Sequence, residues 1–329
     1  MMQIVLIGNA VIHESVEIAL KQHWNVLKFP NLQLFISKIH MIHGPYALWI
    51  HFDTKIADSS FEGIPKPQFL MTTTTGVTHI SEAVYEEYSN SGNFISLMGE
   101  VDFLKEITST AEHAWGIMLM LTSRVQRAIS DFDSGSYQRV FDYKLKQLSE
   151  MSMGIIGCGR LGSMTYRYAK AFGLKVKIFD VDSHKYSTGL VDYSDIATSL
   201  DSLCAESEII MLHASSHARA EAILDESRMS LLPSGSFIVN TSRANLINGQ
   251  SLISKLRDKS LSGYAADVHY GEDLEGDSEI DLELNALKNG DRNVIMTPHI
   301  GGGTTSAIVK CENFLLGKLM LLNSRNLRE

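Results

Sequence analysis

Short runs of consecutive apolar residues alternate along the chain with longer stretches in which apolar residues recur at helical spacing. The short runs are bounded by glycine or polar residues, which is typical of strands buried on both faces of a parallel sheet. The longer stretches are typical of helices that cover such a sheet. Strands that alternate with helices in this way predict an α/β fold with parallel sheets.

The amino-terminal third of the chain predicts one such sheet. Its predicted strands are Gln3–Ile7, Asn25–Phe29, Ala47–Phe52, Phe69–Thr73 and Phe94–Leu97. Its predicted helices are Val16–Gln22, Leu32–Ile42 and Ile80–Tyr88. A long helix from about Asp102 to Ile129 and a polar loop over residues 131–150 are predicted to follow it.

The same alternation restarts at Met151 and predicts a second sheet. Its predicted strands are Met151–Ile156, Lys175–Phe179, Ile209–Leu212, Ser236–Asn240, Gly263–Val268 and Asn293–Thr297. Its predicted helices are Leu161–Phe172, Tyr193–Ala205, Ala218–Ser230 and Leu246–Asp258, with a short helical turn at Asp281–Leu287. A last helix is predicted over Thr304–Leu322.

Charge and cysteine content narrow the function classes. The 329 residues include 29 Lys and Arg and 38 Asp and Glu, for a formal net charge of −9 at pH 7. Because a duplex-binding protein usually carries a basic patch, this balance predicts no nucleic-acid partner. Three widely spaced cysteines without a ligand pattern predict reduced thiols, no metal site and a cytoplasmic location. No apolar stretch approaches the ~20 residues that span a bilayer, so no membrane contact is predicted.

Gly157, Gly159 and Gly162 form the pattern G-x-G-x-x-G between a predicted strand and a predicted helix. The next predicted strand ends at Asp180, eighteen residues beyond the last glycine. A dinucleotide-binding fold requires this order, in which the glycines allow a tight turn, a close approach of the pyrophosphate and close helix packing. The pyrophosphate then lies at the helix N-terminus, which attracts anions.

Asp180 is the predicted partner of the adenosine ribose hydroxyls. A carboxylate at this place would repel a 2′-phosphate, so the sequence predicts NAD(H) rather than NADP(H) as the cofactor.

Three more polar segments follow predicted strands of the second sheet. Asn240-Thr241-Ser242-Arg243 follows one, a segment from Asp267 to Glu272 follows the next, and Thr297-Pro298-His299 follows the last. Since ligands bind at the carboxyl ends of strands in open α/β sheets, these segments are expected to lie at one site.

These pieces, in this order, resemble the D-isomer-specific 2-hydroxyacid dehydrogenases, which include D-3-phosphoglycerate dehydrogenases, glyoxylate/hydroxypyruvate reductases and D-lactate dehydrogenases. The resemblance runs from about Met71 to Gly302 and also takes in Thr75-Gly76 and Ser109-Thr-Ala-Glu112-His113. It implies two doubly wound parallel-sheet domains of the α/β class. A flavodoxin-like substrate-binding domain would comprise residues 1–106 and 301–329, and a Rossmann NAD-binding domain residues 107–300.

The resemblance also implies a role for each matching residue. Arg243 resembles the arginine that binds the substrate carboxylate and carbonyl oxygen, His299 the general acid/base, and Glu272 the carboxylate that pairs with that histidine. Thr75 and Gly76, with Arg243 and His299, resemble the substrate-binding positions. The implied cofactor-binding residues are Gly157, Gly159, Arg160, Leu161, Gly162, Asp180, His213, Ala214, Thr241, Ser242 and Asp267, the last beside the nicotinamide ring.

The expected function is NAD-dependent hydride transfer between NADH and a small 2-oxo acid, in a homodimer. Where phosphoglycerate-using relatives place arginine, this chain has His51-Phe52-Asp53-Thr54, which is a poor phosphate clamp unless Arg139 or Lys144 supplies the charge. D-3-phosphoglycerate dehydrogenase therefore stays an alternative, as does an NADH-binding corepressor or redox sensor. A methyltransferase with the same glycine pattern is disfavoured by Asp267 and Thr297-Pro298-His299.

Overall fold

The computed structural model describes residues 2–8, 12–135, 145–215, 221–272, 278–289 and 292–326. The chain divides into two compact units, which we call unit 1 (Met1–Ile107 and Thr304–Glu329) and unit 2 (Thr108–Gly303). No helix in the described part of the chain is long and apolar enough to cross a membrane.

The strands form two sheets. They are β1 (Gln3–Ile7), β2 (Asn25–Phe29), β3 (Tyr46–Ile50), β4 (Phe69–Thr72), β5 (Phe94–Ile95), β6 (Ser152–Ile156), β7 (Lys175–Phe179), β8 (Ile209–Leu212), β9 (Ser236–Asn240), β10 (Leu261–Ala266) and β11 (Val294–Met296). The helices are α1 (Glu14–His23), α2 (Leu32–Ser37), α3 (Glu82–Asn90), α4 (Val101–Leu104), α5 (Ser109–Thr122), α6 (Val125–Asp133), α7 (Arg160–Ala171), α8 (Leu200–Glu206), α9 (Glu226–Leu231), α10 (Gly249–Arg257), α11 (Glu279–Asn289) and α12 (Thr305–Asn326).

Unit 1 contains a parallel sheet with the strand order β2-β1-β3-β4-β5. Successive side chains of a strand point to opposite faces, so both faces of this sheet are apolar. Ile4 and Trp49 belong to the core that includes α12 residues, whereas Val5 and Leu48 belong to the core on the other face. This double burial explains why the strands read as continuous apolar runs.

Unit 2 contains a second parallel sheet, with the order β11-β10-β9-β8-β6-β7. Ile155 and Met211 pack in the core that includes α5, and Ile210 and Ile238 pack in the core on the opposite face. The predicted α/β class with two parallel sheets is confirmed.

Each sheet has one point at which the chain turns back and adds strands on the other side of its first strand. In unit 1 this switch point lies between β1 and β3, and in unit 2 between β6 and β8. Ligands of open α/β sheets bind at the carboxyl ends of the strands beside such a point.

The long helix predicted over Asp102–Ile129 is wrong, because three separate helices (α4, α5 and α6) occupy this stretch. Helix α5 ends where the Thr122 hydroxyl donates to the carbonyl oxygen of Met118, 2.9 Å away. Arg124 then adopts a left-handed conformation with φ of 51°, which separates α5 from α6. A hydroxyl that bonds back to its own helix competes with the backbone, and single-sequence periodicity does not register it.

Two other predicted helices begin too early. Tyr193–Ala205 is broken because Ile196 forms a bridge with Ile178 of β7, and Ser199 caps α8 with its hydroxyl. Within the predicted stretch Ala218–Ser230, of which residues 218–220 lie outside the described part, α9 starts at Glu226, capped by Asp225. The side-chain caps therefore fix helix starts that apolar spacing does not.

Candidate active site

The glycine loop, residues 157–162, follows β6 at the switch point of unit 2. Gly157 has φ of 102°, and a Cβ built on it would lie 2.7 Å from the backbone of His213 and Ala214. A Cβ on Gly162 would lie 1.9 Å from the carbonyl oxygen of Gly157. These two positions therefore exclude any side chain. Gly159 has nothing within 4 Å of its Cβ position, so the loop is open to a ligand there.

Helix α7 begins directly after Gly159, with Arg160 and Leu161 in its first turn. Its first turn carries no acidic residue. The first N–H groups of a helix have no partner within the helix, and with the helix dipole they form a site for an anion. The glycine loop thus presents an anion-binding helix end beside an open backbone position.

Asp180 follows β7 and is tied to the glycine loop. Its Oδ2 accepts the N–H of Cys158 at 2.7 Å, and its Oδ1 accepts the N–H of Asp182 at 2.9 Å. The Lys185 ammonium lies 3.1 and 3.0 Å from these two oxygens. Burial alone would raise the pKa of Asp180, but the two N–H donors and Lys185 lower it overall, so the carboxyl is ionised near neutral pH.

His213 and Thr241 follow β8 and β9 and are buried beside this loop. The Nε2 atom of His213 lies 2.9 Å from the Thr165 hydroxyl of α7. Burial lowers the pKa of His213 to about 4, so the ring is neutral at pH 7. In the described part of the chain, His213 Nδ1 and Thr241 Oγ1 have no hydrogen-bond partner.

These observations fit the predicted cofactor. A helix N-terminus, an open Gly159 and an ionised carboxylate suit the pyrophosphate and ribose of NAD. Buried polar atoms without a partner are costly, and a ligand is one means of satisfying them. His213 and Thr241 follow β8 and β9 at the carboxyl edge of the sheet, so their Nδ1 and Oγ1 atoms are such buried polar atoms in the described part of the chain.

Arg243 lies in a turn after β9 that the fully buried Asn240 holds. The Asn240 side chain accepts the N–H of Ser242 at 3.0 Å and donates to the carbonyl oxygen of Arg243 at 2.8 Å. The Ser242 hydroxyl donates to the carbonyl of Leu212 in β8, and the Arg243 guanidinium donates to the carbonyl of Ser242 at 2.7 Å. The turn is therefore fixed by its own backbone, and it presents a half-buried guanidinium.

Glu272 and His299 form a hydrogen-bonded pair, with Glu272 Oε1 lying 3.1 Å from His299 Nδ1. An ionised carboxylate only accepts, so Nδ1 carries a proton and Nε2 is the nitrogen left for a reacting group. The hydrogen bond from Glu272 raises the pKa of His299 overall; burial and the Arg243 charge oppose this rise, while the charges of Glu272 and Asp267 add to it. The ring, half exposed, keeps its proton to higher pH than an ordinary histidine.

The loop that carries His299, residues 297–301, is held by Asp267. His299 itself has φ of 53°, a conformation uncommon for a residue other than glycine. Directly after it, Asp267 accepts the N–H groups of Ile300 at 2.9 Å and Gly301 at 2.6 Å. Asp267 also accepts the Thr297 hydroxyl at 2.6 Å. The buried Asp267, 2% exposed, thus holds the backbone after the histidine and the Thr297 side chain before it.

Two histidines complete this support. His113 of α5 places Nε2 3.0 Å from the Thr297 hydroxyl and 3.4 Å from Asp267. His269 Nε2 lies 2.8 Å from the Thr297 carbonyl oxygen, and since a carbonyl only accepts, this nitrogen is protonated. The sequence analysis did not predict these roles, because the signal is three-dimensional: His113 and Thr297 are 184 residues apart.

The structure brings most of the predicted site residues together within unit 2. Arg243, Glu272 and His299 follow β9, β10 and β11, which are neighbouring parallel strands, and the charges of Arg243 and Glu272 both act on His299. The predicted cofactor residues lie at the same edge of this sheet, on the glycine loop and after β7 to β10. Asp267 is placed there too, with its oxygens bonded to the 297–301 loop rather than open to solvent.

Thr75 and Gly76 belong to unit 1, in the turn after β4. The Thr74 hydroxyl donates to the Gly76 carbonyl at 2.6 Å and shapes this turn. Their role toward a substrate stays a prediction. Arg139 and Lys144, the two cations considered for a phosphate, lie outside the described residues.

The chain is similar to many known proteins. The family model described as "D-isomer specific 2-hydroxyacid dehydrogenase, NAD binding domain" matches residues 115–301. A D-2-hydroxyacid dehydrogenase (NAD+) of Lacticaseibacillus paracasei is 27% identical over 222 residues, covering 64% of this chain and 63% of that protein. A D-lactate dehydrogenase of Escherichia coli K12 is 33% identical over 172 residues, covering 50% of this chain and 49% of that protein.

A solved structure extends the likeness to the whole fold. The D-lactate dehydrogenase from Aquifex aeolicus, complexed with NAD and lactic acid, has a TM-score of 0.79 to this chain at 22% identity. The match covers 99% of this chain and 97% of that one. The family model spans more than half of the sequence, and the predicted NAD cofactor is confirmed by it. The chain therefore belongs to the D-isomer-specific 2-hydroxyacid dehydrogenases, a family of NAD-dependent oxidoreductases that act on the CH–OH group of 2-hydroxy acids.

Proposed function

We propose that this protein transfers a hydride between NADH and a small 2-oxo acid, with Arg243, Glu272 and His299 carrying the chemistry. The observation that supports this most directly is the 3.1 Å hydrogen bond between His299 Nδ1 and Glu272 Oε1. It lies at the carboxyl edge of the sheet that also bears the glycine loop. A carboxylate-supported histidine supplies a proton donor, which a sensor that only binds NADH would not need.

The cofactor would be held by the glycine loop, Asp180, the His213-Ala214 backbone and the Thr241-Ser242 turn. When bound, the reduced nicotinamide supplies the hydride that reduces the carbonyl carbon of the substrate. Gly159 leaves room for the pyrophosphate, and the first turn of α7 provides N–H donors for it.

Arg243 would bind the substrate and His299 would complete the reduction. A guanidinium is a planar fork of donors, so it binds the carboxylate and polarises the neighbouring carbonyl oxygen together. His299 then gives the proton on Nε2 to the alkoxide oxygen, and in the oxidation direction the same nitrogen takes it back. Glu272 keeps the proton on Nδ1 and favours the charged ring. The fixed 240–243 turn and the Asp267-held loop keep these groups in place.

The test is a His299→Ala variant assayed with NADH and a panel of 2-oxo acids. Since general acid–base catalysis contributes roughly 10²–10⁴-fold, we expect turnover to fall at least about 100-fold. The fluorescence-measured affinity for NADH should stay near that of the wild type, because the ring is not part of the glycine loop. The matched control is His40→Ala, which removes an exposed histidine of unit 1. Near-normal turnover in His299→Ala would remove this mechanism.

A Glu272→Gln variant tests whether the Glu272 charge acts on His299, the proposed proton donor. Reduction needs charged His299, so its rate falls as pH rises through the raised pKa of the histidine. Loss of the Glu272 charge removes the main cause of that rise, and the alkaline limb of the pH–rate profile should move to lower pH. An unchanged limb, with folding intact, would show that Glu272 does not act on the catalytic histidine.

The substrate is proposed to be a small, unphosphorylated 2-oxo acid. The supporting observation is that the segment after β3, where phosphate-using relatives carry arginine, instead carries His51 and Asp53, whose Nδ1 and Oδ1 atoms lie 3.1 Å apart. The panel of glyoxylate, hydroxypyruvate, pyruvate, 2-oxoglutarate and phosphohydroxypyruvate decides this. Preference for the last would make the protein a phosphoglycerate dehydrogenase, and binding of NADH without turnover of any would support the sensor alternative.

We further propose a homodimer in the cytoplasm. Helix α6 supports the dimer, because its Ile129 and Phe132 are 55% and 62% exposed and would be covered by a second copy. All three cysteines are free thiols, as expected in a reducing compartment. Sedimentation of the wild type and of an Ile129→Lys variant tests the dimer, which the charge should weaken.

A further inference from the structure

The acid at the end of β7 is not an isolated negative charge. The Lys185 ammonium lies 3.1 Å from Asp180 Oδ1 and 3.0 Å from Oδ2. Each oxygen also accepts one backbone N–H, from Asp182 and Cys158. An ionised carboxylate has about four lone-pair sites. All of them are therefore used, and the charge of the carboxylate is compensated before any nucleotide arrives.

Lys185 is held in this place by its own segment. Residues Ser183–Thr188 form a 3₁₀ helix capped by Asp182, whose side chain accepts the N–H of His184. The Tyr186 hydroxyl contacts both the N–H and the carbonyl oxygen of Asp180. Tyr186 thus ties the middle of this segment to the backbone of Asp180, and Lys185 beside it contacts the Asp180 carboxylate.

The surroundings of the pair are open to solvent. The Asp180 side chain is 6% exposed, but that of Lys185 is 40% exposed, and Val181 beside them is 93% exposed. A phosphate group on the ribose would therefore meet the ammonium in open space rather than a wall of the protein. Asp182 is the other acid of this segment, and its Oδ1 is turned to the N–H of His184.

We propose that Lys185 makes the nucleotide site accept NADPH as well as NADH. This inference rests on the proposed function of the glycine loop as a dinucleotide site. With its charge compensated, Asp180 repels a 2′-phosphate much less than a bare carboxylate would, and Lys185 supplies a cation for that phosphate. When NADH binds instead, Lys185 moves aside and Asp180 accepts the ribose hydroxyls. The sequence pattern alone predicts the opposite, because it identifies the acid but not its partner.

The experiment is a fluorescence titration of NADH and NADPH into the wild type, Lys185→Met and Lys175→Met. Lys175 is an exposed lysine at the opposite end of β7, so its variant is matched in charge and composition. We expect the wild type to bind NADPH within about tenfold of NADH. In Lys185→Met the ratio of the NADPH to the NADH dissociation constant should rise by at least about tenfold, since the charge-assisted hydrogen bond to the phosphate is lost. The dissociation constant of NADH for Lys185→Met should be within about threefold of the wild-type value or lower. Lys175→Met should leave the ratio of the two dissociation constants unchanged.

A second variant should change the affinity for NADPH in the opposite direction. Asp180→Asn removes the negative charge and leaves Lys185, so NADPH should bind more tightly than to the wild type. Strong discrimination against NADPH in the wild type, or an unchanged ratio in Lys185→Met, would overturn the inference. In either case normal NADH binding and turnover would leave the proposed dehydrogenase function standing. Binding of neither nucleotide would instead overturn the dinucleotide site itself. Melting curves confirm that each variant is folded.

Discussion

The switch points of the two sheets have the same backbone design. In unit 1, Gly8 follows β1 with φ of 118°, and a Cβ on it would lie 2.9 Å from His51, which follows β3. In unit 2, Gly157 follows β6 with φ of 102°, and a Cβ on it would lie 2.7 Å from the backbone of His213, which follows β8. Each sheet therefore places a side-chain-free turn and a histidine at its carboxyl edge.

The side chains around the two switch points differ in charge. The first turn of α1 contains Glu14 and Glu17, and Glu312 lines a small cavity together with His51. The first turn of α7 contains no acid, and Asp180 is compensated by Lys185. Shared topology thus marks where a ligand can lie in each sheet, but only the charge pattern of unit 2 suits a pyrophosphate. Function has to be argued from the site and not from the fold.

The largest expected difference comes from adding one methyl group to each glycine turn. In Gly162→Ala the Cβ would lie 1.9 Å from the Gly157 carbonyl oxygen, so the loop must shift and NADH affinity should fall at least about 100-fold. Gly8→Ala should cost about 1–2 kcal/mol of unfolding free energy because of its φ, with NADH affinity unchanged. Titration and urea unfolding measure both. If Gly8→Ala lost as much affinity for NADH as Gly162→Ala, the proposed difference between the two switch points would be wrong.

The second expected difference concerns His213. Its pKa is about 4 in the folded state and about 6.5 when exposed, so the unfolded chain takes up a proton first as the pH falls. The contribution of neutral His213 to the free energy of unfolding is fully present above pH 6.5 and is lost as the pH falls from 6.5 to 4. Between pH 7 and pH 5 the loss is about 2 kcal/mol. His213→Gln should flatten this acid-side loss in urea unfolding, whereas His51→Gln in unit 1 should retain it because His213 is unchanged. The same slope in both variants would show that another group is responsible.

The smallest expected effects have opposite signs for the acids of the two units. Burial raises the pKa of Glu312 despite the N–H that it accepts from His13. The charged form is therefore disfavoured in the folded state, and Glu312→Gln should stabilise the protein at pH 7. The pKa of Asp180 is lowered in the folded state. The charge of Asp180 therefore stabilises the folded state at a pH above the pKa that Asp180 has in the unfolded chain, and this stabilisation is lost at acid pH. Asp180→Asn should then destabilise the protein at pH 7. For each of the two variants, the change in the free energy of unfolding measured in urea should be about 1 kcal/mol.

Shifts of the same sign in the two variants would contradict this assignment. Glu86→Gln, in the middle of α3 and exposed, is the control for loss of a carboxylate with no buried environment.

The strands could be predicted from the sequence, because strands such as β1 and β3 are buried on both faces and, after Gln3 at the start of β1, are continuous apolar runs. The helix starts could not, because Ser199 and Asp225 act through hydrogen bonds that apolar spacing does not record. At the site, too, some features could be predicted from the sequence and others could not. Arg243, Glu272 and His299 follow strands in a recognisable order, so the sequence identifies them.

The support of His299 was not predictable, since it joins His113, Asp267 and Thr297 from distant parts of the chain. Lys185 was missed for a different reason. It is only five residues from Asp180 in the sequence, but nothing in a polar stretch shows that a 3₁₀ helix turns it back onto the carboxylate.

Helix α12 has a consequence for how the chain is made. Its Leu315 and Leu319 are fully buried in the same core as Ile4 and Met71, so one face of the first sheet is completed by a helix that is synthesised after the whole of unit 2. Domains usually fold in the order of their synthesis. Here the nascent chain would instead complete the continuous unit 2 first, while the strands of unit 1 keep an apolar face uncovered and accessible to chaperones until α12 has been synthesised.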